Sequence, residues 1–109
     1  MSYQSFNLVL DKSWNCTCRG TIVASDDPAD LSEDMCEVLL HRNNFLVSVG
    51  WSPDGDPNGD YVVTLTSGGR HLIPPIETKD VLEAVNETRD LVREYWSRSL
   101  CVTSSTDST

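Results

Sequence analysis

The clearest hydrophobic alternation in the chain begins at Phe45, where Phe45, Val47, Val49 and Trp51 take every second position and Leu46, Ser48, Gly50 and Ser52 fall between them. A period of two sends successive side chains to opposite faces of a strand, so one face is strongly apolar and the other mixed. Tyr61, Val63 and Leu65 alternate with Val62, Thr64 and Thr66 in a second strand rich in β-branched residues. Ser67-Gly68-Gly69 supplies a tight turn to a third strand over residues 70–73, and the three form a β-meander. Pro74-Pro75 ends it, because proline lacks the N–H that a ladder requires.

A helical period then takes over. Thr78 is expected to cap a helix that runs to about Ser99. Val81, Val85, Thr88, Val92, Tyr95 and Trp96 fall on one face, flanked by Leu82 and Leu91, while Glu83, Glu87, Asp90, Arg93 and Arg98 lie largely opposite. Burial of each large apolar side chain contributes roughly 1.5 to 3 kcal/mol, against a few tenths for an exposed pair such as Glu94 with Arg98. Packing on a sheet, not surface charge, must therefore hold the helix.

Upstream, Phe6, Leu8 and Leu10 alternate with Ser5, Asn7 and Val9, and a turn follows at Asp11-Lys12-Ser13. Residues 16–24 repeat the pattern, with Cys16, Cys18, Ile22 and Ala24 on one face and Thr17, Arg19, Thr21 and Val23 on the other. The two segments are expected to pair as a hairpin, with Gly20 marking a bulge or a close contact. Asp26-Asp27-Pro28 reads as a helix start, with Asp27 as cap, Pro28 in the first helical position and acids near the positive end of the dipole. Leu31, Met35, Val38 and Leu39 would supply its apolar stripe and Arg42-Asn43-Asn44 its end. A competing reading makes residues 35–41 a strand paired with residues 45–51, which the continuous Val38-Leu39-Leu40 also fits. With the helix, the order β-β-α-β-β-β-α predicts an α+β fold: a single antiparallel sheet with two helices packed on one face, leaving the other face or an edge available.

A chain of 109 residues is the size of one domain, expected over residues 1–101, with a disordered Ser/Thr-rich tail over residues 102–109. The opening Met-Ser-Tyr-Gln-Ser-Phe has no basic n-region, and no apolar run approaches the ~20 residues of a membrane span. A cytoplasmic setting without membrane contact is expected, and with it a reduced state for Cys16, Cys18, Cys36 and Cys101.

Charge changes the picture further. Seventeen acids against eight bases give a formal net charge of -9, which repels nucleic-acid phosphates and anionic membranes. Asp26, Asp27, Asp30, Glu33, Asp34 and Glu37 fall in one stretch with no base among them, and Asp54, Asp56 and Asp60 form a second acidic segment. Such surfaces favour a basic protein partner, or serve only to keep a small domain in solution.

Asp54-Gly55-Asp56-Pro57-Asn58-Gly59 matches the first six positions of the calcium-loop pattern, where alternate oxygens converge on a hard cation. Leu65 stands where the bidentate glutamate belongs, Pro57 restricts the curl, and the flanking elements are strands, so a polar hairpin loop is the preferred reading. Cys16-Thr17-Cys18 with Cys36 and His41 or His71 lacks the knuckle spacing of a zinc site, and buried reduced thiols are expected in place of a metal. Cys36 and His41, five residues apart, do not share a helix face. The chain has no nucleophile elbow, phosphate-cradling glycine loop or paired-histidine metalloprotease motif, so neither a catalytic site nor a cofactor is predicted. Trp51 and Trp96 fit the core pattern, whereas Trp14, between two strands, is the aromatic expected to be exposed and useful to a partner.

Tyr61-Val62-Val63-Thr64-Leu65-Thr66-Ser67-Gly68-Gly69, continuing through Ile73-Pro74-Pro75 into the helix at Lys79, resembles the C-terminal half of small acidic immunity proteins from bacterial polymorphic toxin systems. The resemblance covers about a third of the chain and lacks that family's post-helix segment ending in proline and tryptophan. It implies a protein that binds another protein. The combined expectation is a non-enzymatic acidic module, of immunity or adaptor type, that engages a basic partner through Trp14 and the two acidic segments. Alternatives are a small-ligand or calcium sensor using residues 54–60, or a small enzyme with dispersed catalytic residues.

Overall fold

The computed structural model describes residues 3–8, 10, 14, 16–41 and 44–108, with residues 97–108 described by backbone alone. Its elements are β1 (Tyr3–Phe6), β2 (Cys16–Gly20), β3 (Ile22–Ser25), a single 3-10 turn (Pro28–Asp30), β4 (Cys36–Leu40), β5 (Phe45–Ser52), β6 (Asp60–Ser67), β7 (Arg70–His71), β8 (Ile76–Thr78) and α1 (Val81–Ser108). The expected single sheet with two helices is thereby corrected. Among the described residues there is one α-helix, and the strands form two sheets: a two-stranded β1-β3 ribbon and a six-stranded sheet in the order β2-β4-β5-β6-β7, with β8 also paired to β6.

The first helix fails after one turn, and the reason is visible in the backbone. Asp27 caps as expected, its carboxylate accepting from Ala29 N–H at 3.0 Å, and Pro28 occupies the first turn. Leu31 is already extended, at φ -100° and ψ 108°. Its carbonyl accepts from Gly55 N–H at 2.9 Å, Ser32 O accepts from Trp51 N–H at 2.7 Å, and Met35 N–H donates to Val49 O at 3.1 Å. These bonds pull residues 31–35 against β5, and the strand reading of the next segment prevails: β4 pairs antiparallel with β5, Leu40 opposite Phe45 and Cys36 opposite Val49. Two glycines admit this path. A Cβ on Gly50 would lie 1.8 Å from Glu33 O, and one on Gly20, where φ is +80°, would lie 2.1 Å from Met35 O.

Gly20 also separates segments that the sequence pattern joined. Residues 16–24 are two strands, β2 pairing with β4 and β3 pairing with β1, so the expected hairpin survives only as Tyr3–Phe6 against Ile22–Ser25. The turn assigned to Asp11-Lys12-Ser13 and the helix end at Arg42-Asn43 lie outside the described residues. Downstream, β5 and β6 pair without interruption from Phe45 opposite Ser67 to Ser52 opposite Asp60. The third meander strand is only Arg70–His71. After the two prolines the chain rejoins β6 as β8, with Tyr61 opposite Thr78 and Val63 opposite Ile76.

Because Thr78 belongs to β8, Asp80 caps α1 in its place: Asp80 Oδ1 accepts from Leu82 N–H at 2.9 Å and Asp80 O from Ala84 N–H at 3.0 Å. The helix buries Ala84, Val85, Thr88, Leu91 and Val92 against Val38, Leu40, Val47, Val49, Trp51, Tyr61, Val63 and Leu65. Thr88 is accommodated there because its hydroxyl donates to Ala84 O at 2.7 Å. Leu82 is exposed. The backbone of α1 continues past Ser99, and the side chains of the expected tail, residues 102–109, lie outside the described residues.

Candidate protein-binding surface

The helix covers one face of the large sheet and leaves the other open. Even-numbered positions of β5 and β6 point to that open side, together with the odd-numbered positions of β2 and β4. Leu39 and Leu46 are cross-strand partners there and, like Val62, are only half-buried. Thr17, Arg19, Glu37, Leu39, His41 and Leu46 line a cleft of about 380 Å³ on this side. Thr17 Oγ1 and His41 Nε2 are hydrogen-bonded at 2.5 Å, and Arg19 lies opposite Glu37 in the β2–β4 register.

The two acidic segments meet at one end of this face. The bonds from Gly55 N–H to Leu31 O and from Trp51 N–H to Ser32 O tie the β5–β6 loop to residues 31–32. Asp26, Asp27, Asp30, Glu33, Asp34 and Asp54 are exposed, and Glu37, Asp56 and Asp60 half-exposed. Ser25 and its neighbours order part of the group: Ser25 Oγ donates to Asp30 Oδ2 at 2.7 Å and accepts from Asp27 N–H at 3.1 Å. Asp60 pairs with Lys79 Nζ at 2.9 Å.

Lys79 also ties down the acidic loop. Its ammonium donates to Asn58 O at 3.2 Å and Gly59 O at 3.0 Å, while Trp51 Nε1–H donates to Asp56 O at 2.7 Å. Asp56 Oδ1 accepts from Asn58 N–H at 2.9 Å. Of the oxygens that the calcium-loop pattern would aim at a metal, Asp56 Oδ1 is thus engaged by a backbone N–H. Among the described residues no group of three or more histidines, cysteines and acids is gathered to hold a metal ion.

Trp14 sits elsewhere. It is half-buried, its ring centroid 5.4 Å from that of Trp96 at a tilt of 33°, and it precedes Cys16, whose strand position lies opposite Leu40. The acidic group borders the other end of the sheet, beyond Gly20, Cys36 and Val49. Trp14 is thus half-buried against the helix at Trp96, at the opposite end of the sheet from the acidic group. Sequence reasoning did not single out Leu39 and Leu46, the half-buried apolar pair on the open face that shares a cleft with Glu37. Their signal was present in the mixed face of 45–52, but it could be read only once residues 36–40 were known to be a strand.

Cys36 points from β4 into the core, whereas His41, just past the end of β4, is exposed and bonded to Thr17 on the open side. Burial is the first cause that pushes the Cys36 thiol up to about 12, with Cys18 and Glu37 adding to it. Of the thiols expected in the core, Cys36 is buried, Cys16 half-buried and Cys18 exposed. No helix among the described residues is long and apolar enough to cross a membrane. No family model, curated protein or solved structure matches the chain.

Proposed function

We propose that this protein is an acidic binding module that engages a basic protein partner, in the manner of an immunity or adaptor protein, on the open face of its large sheet. The observation that supports this reading is the joining of residues 26–37 and 54–60 into one acidic border beside the face that α1 leaves uncovered, which carries the half-buried Leu39, Leu46 and Val62. Apolar groups bordered by polar and charged ones are common in protein interfaces. The acids accelerate encounter with a basic surface and fix its orientation, while Leu39 and Leu46 supply the desolvated contact from which affinity comes.

The reading is tested by co-purification with the native partner and by the salt dependence of binding. Replacement of Asp30, Glu33 and Asp34 by Ala together weakens association about 10-fold at low salt, with the loss concentrated in the on-rate. Leu46→Ser lowers affinity through the off-rate. Binding that is indifferent both to the triple replacement and to salt overturns the proposal.

A further inference from the structure

The cysteines form a grouping that the binding reading does not use. Cys16 and Cys18 stand two apart on β2, and Cys36 opens β4. In the register Cys18 lies opposite Val38 and Gly20 opposite Cys36, so Cys18 and Cys36 are diagonal neighbours across the strand pair. Their sulfurs are 4.0 Å apart. Cys36 is only 2% exposed, whereas Cys18 is open to solvent. Beside them a cleft of about 230 Å³ is lined by Arg19, Gly20, Asp34, Met35, Cys36 and Glu37.

We propose that Cys18 and Cys36 constitute a thiol–disulfide exchange site, at which a small external disulfide is reduced and a Cys18–Cys36 bridge fastens β2 to β4. The exposed thiol reacts first. Cys18, as its thiolate, attacks one sulfur of the external disulfide, forming a mixed disulfide and expelling one thiolate, which takes up the proton that Cys18 released. Cys36 then loses its proton and attacks Cys18 Sγ, breaking the mixed disulfide and releasing the second small thiol. The protein gives up two electrons and two protons, and one external disulfide becomes two thiols.

The surroundings set this order. Burial and the neighbouring Cys18 and Glu37 keep Cys36 protonated, so it is a poor first nucleophile. Capping Cys18 as a mixed disulfide removes one of those charges and presents an electrophilic sulfur to Cys36 alone. The sulfurs must close by about 2 Å to reach covalent length. β2 is the strand able to move, because among the described residues it is paired only with β4 in the large sheet. The acidic surface close by, with Asp34 and Glu37 lining the cleft, favours a cationic disulfide over an anionic one.

Cystamine, a small cationic disulfide, is the probe. Incubated with the reduced full chain, it yields a protein lighter by two hydrogens, and peptide mapping after alkylation of free thiols places the bond between Cys18 and Cys36. The C16S/C101S double variant still forms that bridge. C18S, a change at an exposed position, abolishes it, and C36S stops at a cystamine adduct on Cys18. A map that joins Cys16 to Cys18 or any cysteine to Cys101, or a double variant that stays reduced, overturns the proposal, and mapping of the wild-type chain reads this even where C36S fails to fold.

Discussion

The two faces of β5 and β6 carry similar side chains one residue apart and play different roles. On the helix side Val47, Val63 and Leu65 are 0% exposed, whereas Leu46 and Val62 on the other side remain half-buried. Residue type does not separate the faces. What separates them is α1, which lays Val85, Thr88 and Val92 over one and nothing over the other. The covered face therefore holds the fold together, and the open face is the one that the proposed function uses. The strongest way to break this contrast is Leu65→Ala against Leu46→Ala. Loss of Leu65 is expected to cost about 2 to 5 kcal/mol, the transfer of the side chain plus the cavity it leaves. Loss of Leu46 is expected to cost less than about 1.5 kcal/mol. Urea unfolding of both variants reads the difference, and equal losses would show that the open face is covered after all.

Gly50 is the exception that sharpens the comparison, because it belongs to the open side yet is buried. There the backbone of Glu33 lies where a Cβ would go, 1.8 Å from Glu33 O. Gly50→Ala must displace a backbone carbonyl in a segment pinned on both sides, by Trp51 N–H at Ser32 O and by Met35 N–H at Val49 O. A loss of about 2 kcal/mol is expected, within the range for overpacking, while Ser48→Ala on the same strand and face is nearly neutral. A tolerant Gly50→Ala would mean that residues 32–34 are not held against β5.

The same comparison explains which parts of the fold were legible in the sequence. The alternation of 45–52 and 61–66 and the stripe through Val85, Thr88 and Val92 carry their own period, and these elements formed as expected. Residues 28–40 carry cap signals at one end and a continuous apolar run at the other, and local propensity at Asp27-Pro28 was outweighed by hydrogen bonds to β5 and to the 53–59 loop. The break at Gly20 and the return of the chain as β8 after Pro74-Pro75 depend likewise on partners distant in sequence. Within the candidate surface, the acids could be listed from composition, but their union through Gly55 N–H and Leu31 O, and the pairing of Leu39 with Leu46, are products of tertiary register.

Charge on the border of the open face should matter less to stability than apolar burial beneath the helix. Glu33, Asp34 and Asp54 are exposed and lie among like charges, so Glu33→Gln, Asp34→Asn and Asp54→Asn together relieve repulsion. A gain of about 0.5 kcal/mol is expected at low ionic strength, fading as salt is added. Thermal melts at two salt concentrations measure it. A loss of stability that salt does not alter would assign these carboxylates a structural role instead.

The effect smallest at neutral pH comes from a titratable group on the covered face. Burial, with Cys18 and Glu37 adding to it, raises Cys36 to about 12 from an ordinary 9.0. Below pH 9 both folded and unfolded chains keep this proton, and its contribution to stability is complete. As pH rises from 9 towards about 12 the unfolded chain releases the proton while the folded chain retains it, so fewer protons are bound in the unfolded state and stability falls. Cys16 is also raised, by burial first and then by Cys18, and acts with the same sign as pH rises above 9. Tyr61 is raised by burial and by Asp80 from 10.0, so its contribution begins higher. Urea unfolding between pH 8 and 10 should therefore show a decline that C36S flattens more than C16S does. A decline unchanged in C36S would mean that the thiol is hydrated, and that the helix-covered face is open to water at its β4 end.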